Sequence, residues 1–315
     1  MADWLNASTD KAIAKIDVER AKRIGKMLIT GAEEAKPEEF PLLDVAAQNP
    51  KEMLAAYRAD RALFATAPFD PDGERLRFYP GGITIWSGYP GAGKTTLLRQ
   101  LACHILSRNG SVFFASLEEH PRDLIIRMAA TAAGMEEPDE EALSWFCDWF
   151  GDRIKVWGVI GMANHKRLLG AVKATQCQHA IIDSLMCMDI DNGDFERQRQ
   201  FANTLATVAR STGTHIHLVA HPRKVVSADQ EPDINDVAGA REISGIADNV
   251  IFVRRSNKEA FGDGQLGMRI VIRKQRHGDG SLGHIDGWYQ RKWRQFTTWQ
   301  FPEHPTRYLP AEAYA

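Results

Sequence analysis

The run Gly88-Tyr89-Pro90-Gly91-Ala92-Gly93-Lys94-Thr95 constrains this chain more than any other feature. It lies between an apolar β-rich stretch, ITIWSG at 83–88, and a stretch of helical composition, TTLLRQLACHILSRNG at 95–110. A strand, a glycine-rich turn of the form G-x-x-x-x-G-K-[ST] and a helix are the parts of a phosphate-binding loop. Glycines let the backbone curl so that its N–H groups converge on phosphate oxygens. The helix N-terminus behind them adds partial positive charge. Lys94 offers a mobile cation to the β- and γ-phosphates, and the Thr95 hydroxyl is a ligand for Mg²⁺. The expected nucleotide-binding set is Gly88, Tyr89, Pro90, Gly91, Ala92, Gly93, Lys94, Thr95 and Thr96. The expected ligands are ATP, or another nucleoside triphosphate, and Mg²⁺.

From there on the pattern is strand, loop, helix, repeated. SVFFASLE (111–118), IKVW (154–157), HAIID (179–183) and HIHLVA (215–220) read as strands separated by helical stretches, one of them near 121–134. Such alternation predicts parallel βαβ units and a sheet covered on both faces. After 249 the texture changes to NVIFVRR, GMRIVIRKQ and SLGHIDGWY joined by Gly and Asp turns, which predicts antiparallel strands finishing the sheet. Ahead of the loop, 9–34 and 50–65 read as helices, with Ser8 or Asp10 as caps for the first and Pro37 and Pro41 breaking it. The expected organisation is an α/β core at 77–300, a helical appendage at 1–76 that could pack on a neighbour, and a tail at 301–315.

Composition narrows the class. Of 315 residues 44% are hydrophobic and 25% charged, which permits a buried core. No apolar run reaches the roughly 20 residues of a membrane span, and the N-terminus lacks a basic-then-apolar signal pattern. The expected setting is cytoplasmic, in a bacterial or phage-infected cell, or an organelle matrix. Four cysteines, Cys103, Cys147, Cys177 and Cys187, show no C-x-x-C pair, so buried free thiols are expected rather than zinc. Net charge is −2, yet residues 251–315 hold eleven Lys/Arg against six Asp/Glu, so a local basic surface is compatible with a near-neutral whole.

Two acids follow apolar strands. Asp183 ends HAIID, where a carboxylate lies beside the phosphate loop and can hold Mg²⁺ through water; the plainer reading is a helix cap. Glu118 and Glu119 end SVFFASLE, a position from which a carboxylate can accept a proton from the attacking water. Glu118, directly after the apolar run, is favoured over Glu119, either of which could instead cap the helix beginning near Pro121.

Taken together, GYPGAGKTT, FFASLEE, HAIIDSL, HLVAHPRK and IRKQRHG, in this order across about Gly82 to Gly283, resemble the DnaB and Twinkle family of hexameric replicative DNA helicases, which are RecA-like ATPases. The HPRK form of the fourth motif resembles the Twinkle or phage branch. The resemblance implies a RecA-like core and an ATP-driven ring translocating on single-stranded DNA. It implies Glu118 as catalytic glutamate, Asp183 as the metal-coordinating aspartate and His221 as a γ-phosphate sensor. Lys274 and Arg276 correspond to the pair that reaches a neighbouring subunit's ATP; an arginine finger of this kind is worth about 10³–10⁵ in rate. His215 and His217, alternating on the same strand, read as packing or edge residues. No primase-like segment or bacterial-type N-terminal helical domain is evident, so priming would come from a separate protein.

In such rings the loops facing the channel follow the Asp183 and His221 strands, here 187–199 and 223–242. Arg197, Arg199, Arg223, Lys224 and Arg241, with the backbone of Gly239, are the candidate DNA contacts, and Phe195 is the one aromatic there for base stacking. Acids interleave with these cations. Two other classes stay open: a RecA-like recombinase or recombination mediator, and a non-unwinding ATP switch such as a helicase loader or a clock-type signalling ATPase.

Overall fold

The computed structural model describes residues 49–62, 64–70, 75–190, 194–223, 231–239, 241–256, 265–277, 282–299 and 302–314. The chain forms two units, Met1–Tyr57 and Arg58–Ala315. Of the first, the described part opens helix α1 (Pro50–Ala62). The helix expected over 9–34 lies outside the described residues.

Among the described residues of the second unit, nine strands make one sheet: β3 (Ile83–Ser87), β4 (Val112–Ser116), β5 (Ile154–Val156), β6 (His179–Asp183), β7 (His215–Val219), β8 (Asn249–Arg255), β9 (Gln265–Gln275), β10 (Gly283–Gln290) and β11 (Gln295–Thr297). Their order is β11-β10-β9-β8-β3-β7-β6-β4-β5. Neighbours from β8 to β5 pair in parallel, and β8–β9, β9–β10 and β10–β11 pair antiparallel. The expected α/β sheet with antiparallel C-terminal strands is the observed one.

Apolar strands flanked by helices dictate this result. Side chains alternate across a strand, and here successive residues fall into two separate cores. Trp86, Phe114, Ile181, Val219 and Ile251 join one cluster; their strand neighbours Ile85, Phe113, Ile182, Leu218 and Val250 join the other. Helices α2 (Lys94–Ser107), α3 (Pro121–Ala133) and α4 (Glu140–Phe150) supply Leu97, Leu98, Leu101, Met128 and Phe146 to the first. Helices α5 (His165–Thr175) and α6 (Phe195–Thr212) supply Leu168, Leu169, Phe201 and Leu205 to the second. A further short helix, α7 (Arg241–Ile246), precedes β8 and buries Ile243.

Three regions depart from the sequence reading. A small hairpin, β1 (Ala65–Thr66) with β2 (Arg77–Phe78), carries Phe69, Leu76 and Phe78 into the first core. Asp70 Oδ2 accepts the backbone N–H groups of Arg75 at 2.8 Å and Leu76 at 2.7 Å, tying the hairpin across its turn. A boundary near 76 therefore cuts a packed element. Residues 302–314, set apart as a tail, contribute buried Tyr308 and Leu309. Buried Gln295 holds them: its amide nitrogen donates to Thr131 O and Thr306 O, and its oxygen accepts from Thr306 N, each at 2.8 Å. Of the four cysteines, all free, Cys103 and Cys177 are buried, Cys187 is half-buried, and Cys147 is exposed on α4.

The third departure is a buried polar layer at the amino ends of β3, β6 and β7. Trp86 Nε1 donates to His217 Nδ1 at 3.2 Å, so the His217 proton sits on Nε2 and faces His179 Nδ1 at 3.1 Å. His215 Nδ1 donates to Tyr79 O at 2.7 Å, and its Nε2 meets the Thr84 hydroxyl at 2.8 Å, which accepts from Asn249 Nδ2 at 3.0 Å. Burial lowers the pKa of all three histidines, His215 to about 4. Neutral imidazoles paired in this way are packing residues, as read for His215 and His217; β7, flanked by β3 and β6, leaves neither at an edge.

Gln295→Ala removes three hydrogen bonds from a buried position, and each stranded group costs about 1–3 kcal/mol. Urea unfolding is expected to show clear destabilisation and earlier proteolysis within 302–314, with nucleotide affinity unchanged.

Candidate nucleotide-hydrolysis site

β3 is apolar and fully buried, and the chain leaves it directly into Gly88. The turn demands glycine at particular points. Gly88 has φ 146°, and a Cβ there would lie 2.1 Å from Val253 O of β8. Gly93 has φ 98°, and its Cβ would meet the Met268 methyl at 2.6 Å. Only a side-chain-free loop lies this close to the sheet. Gly93 is the N-cap of α2, so the helix dipole opens onto the loop. The Lys94 ammonium donates to Gly88 O at 2.6 Å and Tyr89 O at 3.0 Å, which holds it over the turn. Burial lowers its pKa, partly offset by Asp183 and Glu118.

Asp183 ends β6 and is buried. Thr95 Oγ1 donates to Asp183 Oδ2 at 2.6 Å, joining the start of α2 to β6. Burial raises the Asp183 pKa, against the Thr95 hydrogen bond. A hydroxyl and a carboxylate in contact are hard oxygen donors of the kind Mg²⁺ takes beside phosphates, so this pair fits the implied ion.

The two neighbouring glutamates, equivalent by type, are separated by their surroundings. Glu119 is 12% exposed; Arg99 NH2 of α2 donates to its Oε2 at 3.0 Å. Arg127 NH1 lies 2.8 Å from its Oε1, an ion-pair contact without hydrogen-bond alignment. Glu118 is 55% exposed, and its Oε1 accepts from Ser184 Oγ at 2.8 Å and stands 3.8 Å from His221 Nε2. It also acts electrostatically on Lys94 and Asp183. Glu119 is locked into the helix layer, whereas Glu118 faces the loop. The lock comes from arginines on α2 and α3, which strand periodicity does not reveal.

His221 lies just beyond β7. Burial, then the Lys94 charge, lowers its pKa, so it is neutral at pH 7. Its carbonyl accepts from Ala238 N at 2.7 Å, and Arg223 N donates to Asp236 O at 2.7 Å, pinning residues 221–223 to 236–238. Lys94, Thr95, Glu118, Asp183 and His221 thus gather at the carboxyl ends of four adjacent strands, β3, β7, β6 and β4.

Lys274 and Arg276 lie at the other end of the sheet. Gln275 pairs with Asn249, and Asn249 with Thr84 near the start of β3. Lys274 Nζ donates to Ser244 O and Gly245 O, each at 3.0 Å, in the last turn of α7. At about 3.3 Å per residue, the length of β3 puts on the order of 15 Å between them and the loop that follows Ser87.

The candidate DNA contacts are dispersed. Arg197 pairs with Asp194 at 3.4 Å and Arg199 with Glu196 at 2.9 Å. Arg223 donates to Val237 O at 3.0 Å and also to Gly239 O. Gly239 has φ 103°, with Ile243 against it, and Arg241 opens α7 exposed to solvent. Lys224 and the Phe195 side chain lie outside the described residues.

Lys94→Ala is expected to abolish hydrolysis and sharply weaken nucleotide binding, read by phosphate release and a fluorescent nucleotide. Glu118→Gln is expected to bind ATP and barely turn over. Glu119→Gln is expected to lose about 1.5–3 kcal/mol of unfolding free energy through its weakened arginine contacts, with turnover persisting below its melting temperature. An active Glu118→Gln beside an inactive but stable Glu119→Gln reverses the assignment.

The sequence profile of an AAA domain family, AAA_25, matches residues 57–227. Among curated relatives, the DNA repair protein RadA of Synechocystis sp. is 25% identical over 200 residues, covering 58% of this chain and 37% of that protein. RadA of Bacillus subtilis is 23% identical over 186 residues, covering 58% and 34%. The chain thus spans little more than a third of the length of these relatives. Among solved structures, one ATPase domain superposes with a TM-score of 0.66 at 16% identity, covering 81% of this chain and 99% of that one. A DnaB-like replicative helicase, whose structure was described with its interactions with primase, gives 0.65 at 16%, covering 89% and 75%. The resemblance carried by the five motifs therefore holds at the level of fold. With the profile spanning more than half of its residues, the chain belongs to this AAA domain family and has the RecA-like ATPase fold.

Proposed function

We propose that this protein is an ATP-driven DNA motor that hydrolyses nucleotide at the interfaces of a ring, hexameric by its resemblance, and translocates on single-stranded DNA. The observation that carries the proposal is the separation just described. On one chain the phosphate loop and the Lys274–Arg276 pair occupy opposite ends of the same sheet, so that pair can serve a phosphate only on a neighbouring copy.

In this reading the Lys94 ammonium and the loop N–H groups hold the β- and γ-phosphates. Thr95 and Asp183 would hold Mg²⁺, which would neutralise phosphate charge when bound. Glu118, exposed and oriented by Ser184, takes the proton of the attacking water. His221, 3.8 Å from Glu118, links the γ-phosphate position to the loop beginning at Arg223. Arg276, with Lys274, enters from the adjacent subunit and stabilises charge on the transferring phosphoryl. Arg197, Arg199, Arg223, Lys224 and Arg241, with the Gly239 backbone, contact the DNA backbone. Residues ahead of the core act as a subunit-packing arm, and a primase or other replication proteins are its partners.

Similarity to the DNA repair protein RadA favours a second reading, in which the same ATPase serves DNA repair, as a mediator rather than a replicative motor. Strand displacement on a forked substrate separates the two, since a replicative motor unwinds it and a mediator leaves it paired.

The interfacial site has a direct test. Arg276→Ala subunits keep an intact phosphate loop, and Lys94→Ala subunits keep an intact finger. Each alone is expected to be nearly inactive. Mixed, they are expected to recover hydrolysis in proportion to the interfaces that join a good loop to a good finger. Normal turnover by Arg276→Ala alone contradicts the proposal.

A further inference from the structure

Asp248 lies where three strands meet, immediately before β8, and is buried. Its backbone N–H donates to Ile83 O at 2.8 Å, and its carbonyl accepts from Arg276 N at 2.9 Å. Of its carboxylate oxygens, Oδ2 accepts the N–H of Ile83 at 2.9 Å. The other, Oδ1, faces Arg276 NH1 at 3.3 Å and His277 Nε2 at 3.9 Å. Burial, and then the Asp248 carboxylate, raises the pKa of the Tyr79 hydroxyl. The Tyr79 ring packs edge-on against His277 at 4.1 Å, and its carbonyl is held by His215. Arg276 NH2 reaches Gly245 O at 3.4 Å, and the Arg276 side chain is 47% exposed. The guanidinium is thus tethered by its inner edge while much of it faces solvent, and the tether is itself fixed to the first residue of β3.

Given an interfacial site as proposed above, we infer that Asp248 is a positioning residue that aims Arg276 at the neighbouring subunit's nucleotide. The chemistry favours aiming over mere structure. One carboxylate oxygen already satisfies the backbone, and the charge of the second oxygen is directed at the finger. An arginine side chain has many rotamers, and a buried anion at its base removes most of them before a phosphate arrives. Two of its five N–H donors are engaged by Asp248 and Gly245 among the described residues, so others remain to face a phosphoryl oxygen.

Asp248→Asn tests this, because the carboxamide oxygen can still accept from Ile83 N–H while the charge facing Arg276 is lost. The full chain, assembled, is expected to show kcat lowered about 10- to 100-fold, the range of a misplaced catalytic group. KM for ATP is expected to stay near wild type, since the phosphate loop is at the far end of the sheet. Subunit mixing then assigns the side of the interface. Asp248→Asn mixed with Lys94→Ala is expected to recover hydrolysis, and Asp248→Asn mixed with Arg276→Ala is not. Tyr79→Phe, which removes the hydroxyl that senses the same carboxylate and keeps the ring against His277, is expected to show the same pattern with a smaller loss. It serves alone if Asp248→Asn does not assemble. A kcat at or above wild type in either variant overturns the inference, as does recovery with Arg276→Ala, which would place the defect on the loop side. Failure of Arg276→Ala with Lys94→Ala to recover would remove the interfacial site itself, a result distinguishable from failure of the Asp248 mixtures alone.

Discussion

Because β3 is hydrogen-bonded in parallel to β7 on one side and β8 on the other, the carboxyl ends of the central strands lie along one edge of the sheet. Both faces are packed by helices, so that edge is where the chain can present polar groups to a ligand without stranding them in a core. The glycine loop after β3, Glu118 after β4, Asp183 at the end of β6 and His221 after β7 all lie there. The Thr95–Asp183 hydrogen bond of 2.6 Å ties two of these strands to the helix that begins at the loop. The opposite edge carries the histidine layer, Asp248 and the base of Arg276. The geometry of the candidate site, and its division between two edges, both follow from the parallel register of β3.

Adjacent residues of the same type can take different duties in such a frame. Glu118 and Glu119 differ by one position on the same strand exit, yet one is held by two arginines and the other faces Ser184 and His221. Arg99 and Arg127 hold both oxygens of the Glu119 carboxylate against the helix layer. The exposed Glu118 carboxylate is oriented instead by the Ser184 hydroxyl at 2.8 Å, with the Cys187 thiol 3.8 Å from the same oxygen. The same distinction holds for the cations. Arg197 and Arg199 pair with acids at the start of their own helix, whereas Arg276, among the described residues, is tethered at its inner edge and is half exposed.

The strands that frame the site were legible because each is a run of apolar residues broken by glycine or by a charged turn, and the phosphate loop because its glycines are spaced by steric need. HAIID and HIHLVA are fully buried, as continuous apolar runs with polar ends should be in a parallel sheet. Shorter elements escaped. Strands of two or three residues, such as Ala65–Thr66 and Gln295–Thr297, are too brief to show a period of two. Helix α4 carries acids in its first turn and Phe146 and Phe150 on its buried side; its pattern was present but lay in a stretch read only as intervening. The packing of 302–314 depends on Gln295, whose partners Thr131 and Thr306 are brought together only by the fold. Asp248 was invisible for a related reason: before a strand, an aspartate reads as a turn residue. Its bonds to Ile83 and Arg276 span 165 and 28 positions of sequence.

In the proposed interfacial site, one chain holds the parts needed for hydrolysis in two places too far apart to meet without a second copy. ATP turnover per subunit, followed over decreasing protein concentration with the assembly state measured in the same samples, tests it most directly. Specific activity is expected to collapse as assemblies dissociate and to return on reconcentration, in step with the assembled fraction. Constant activity per subunit down to demonstrated monomers would contradict it, leaving the fold in common with ring motors but the site complete within a single chain.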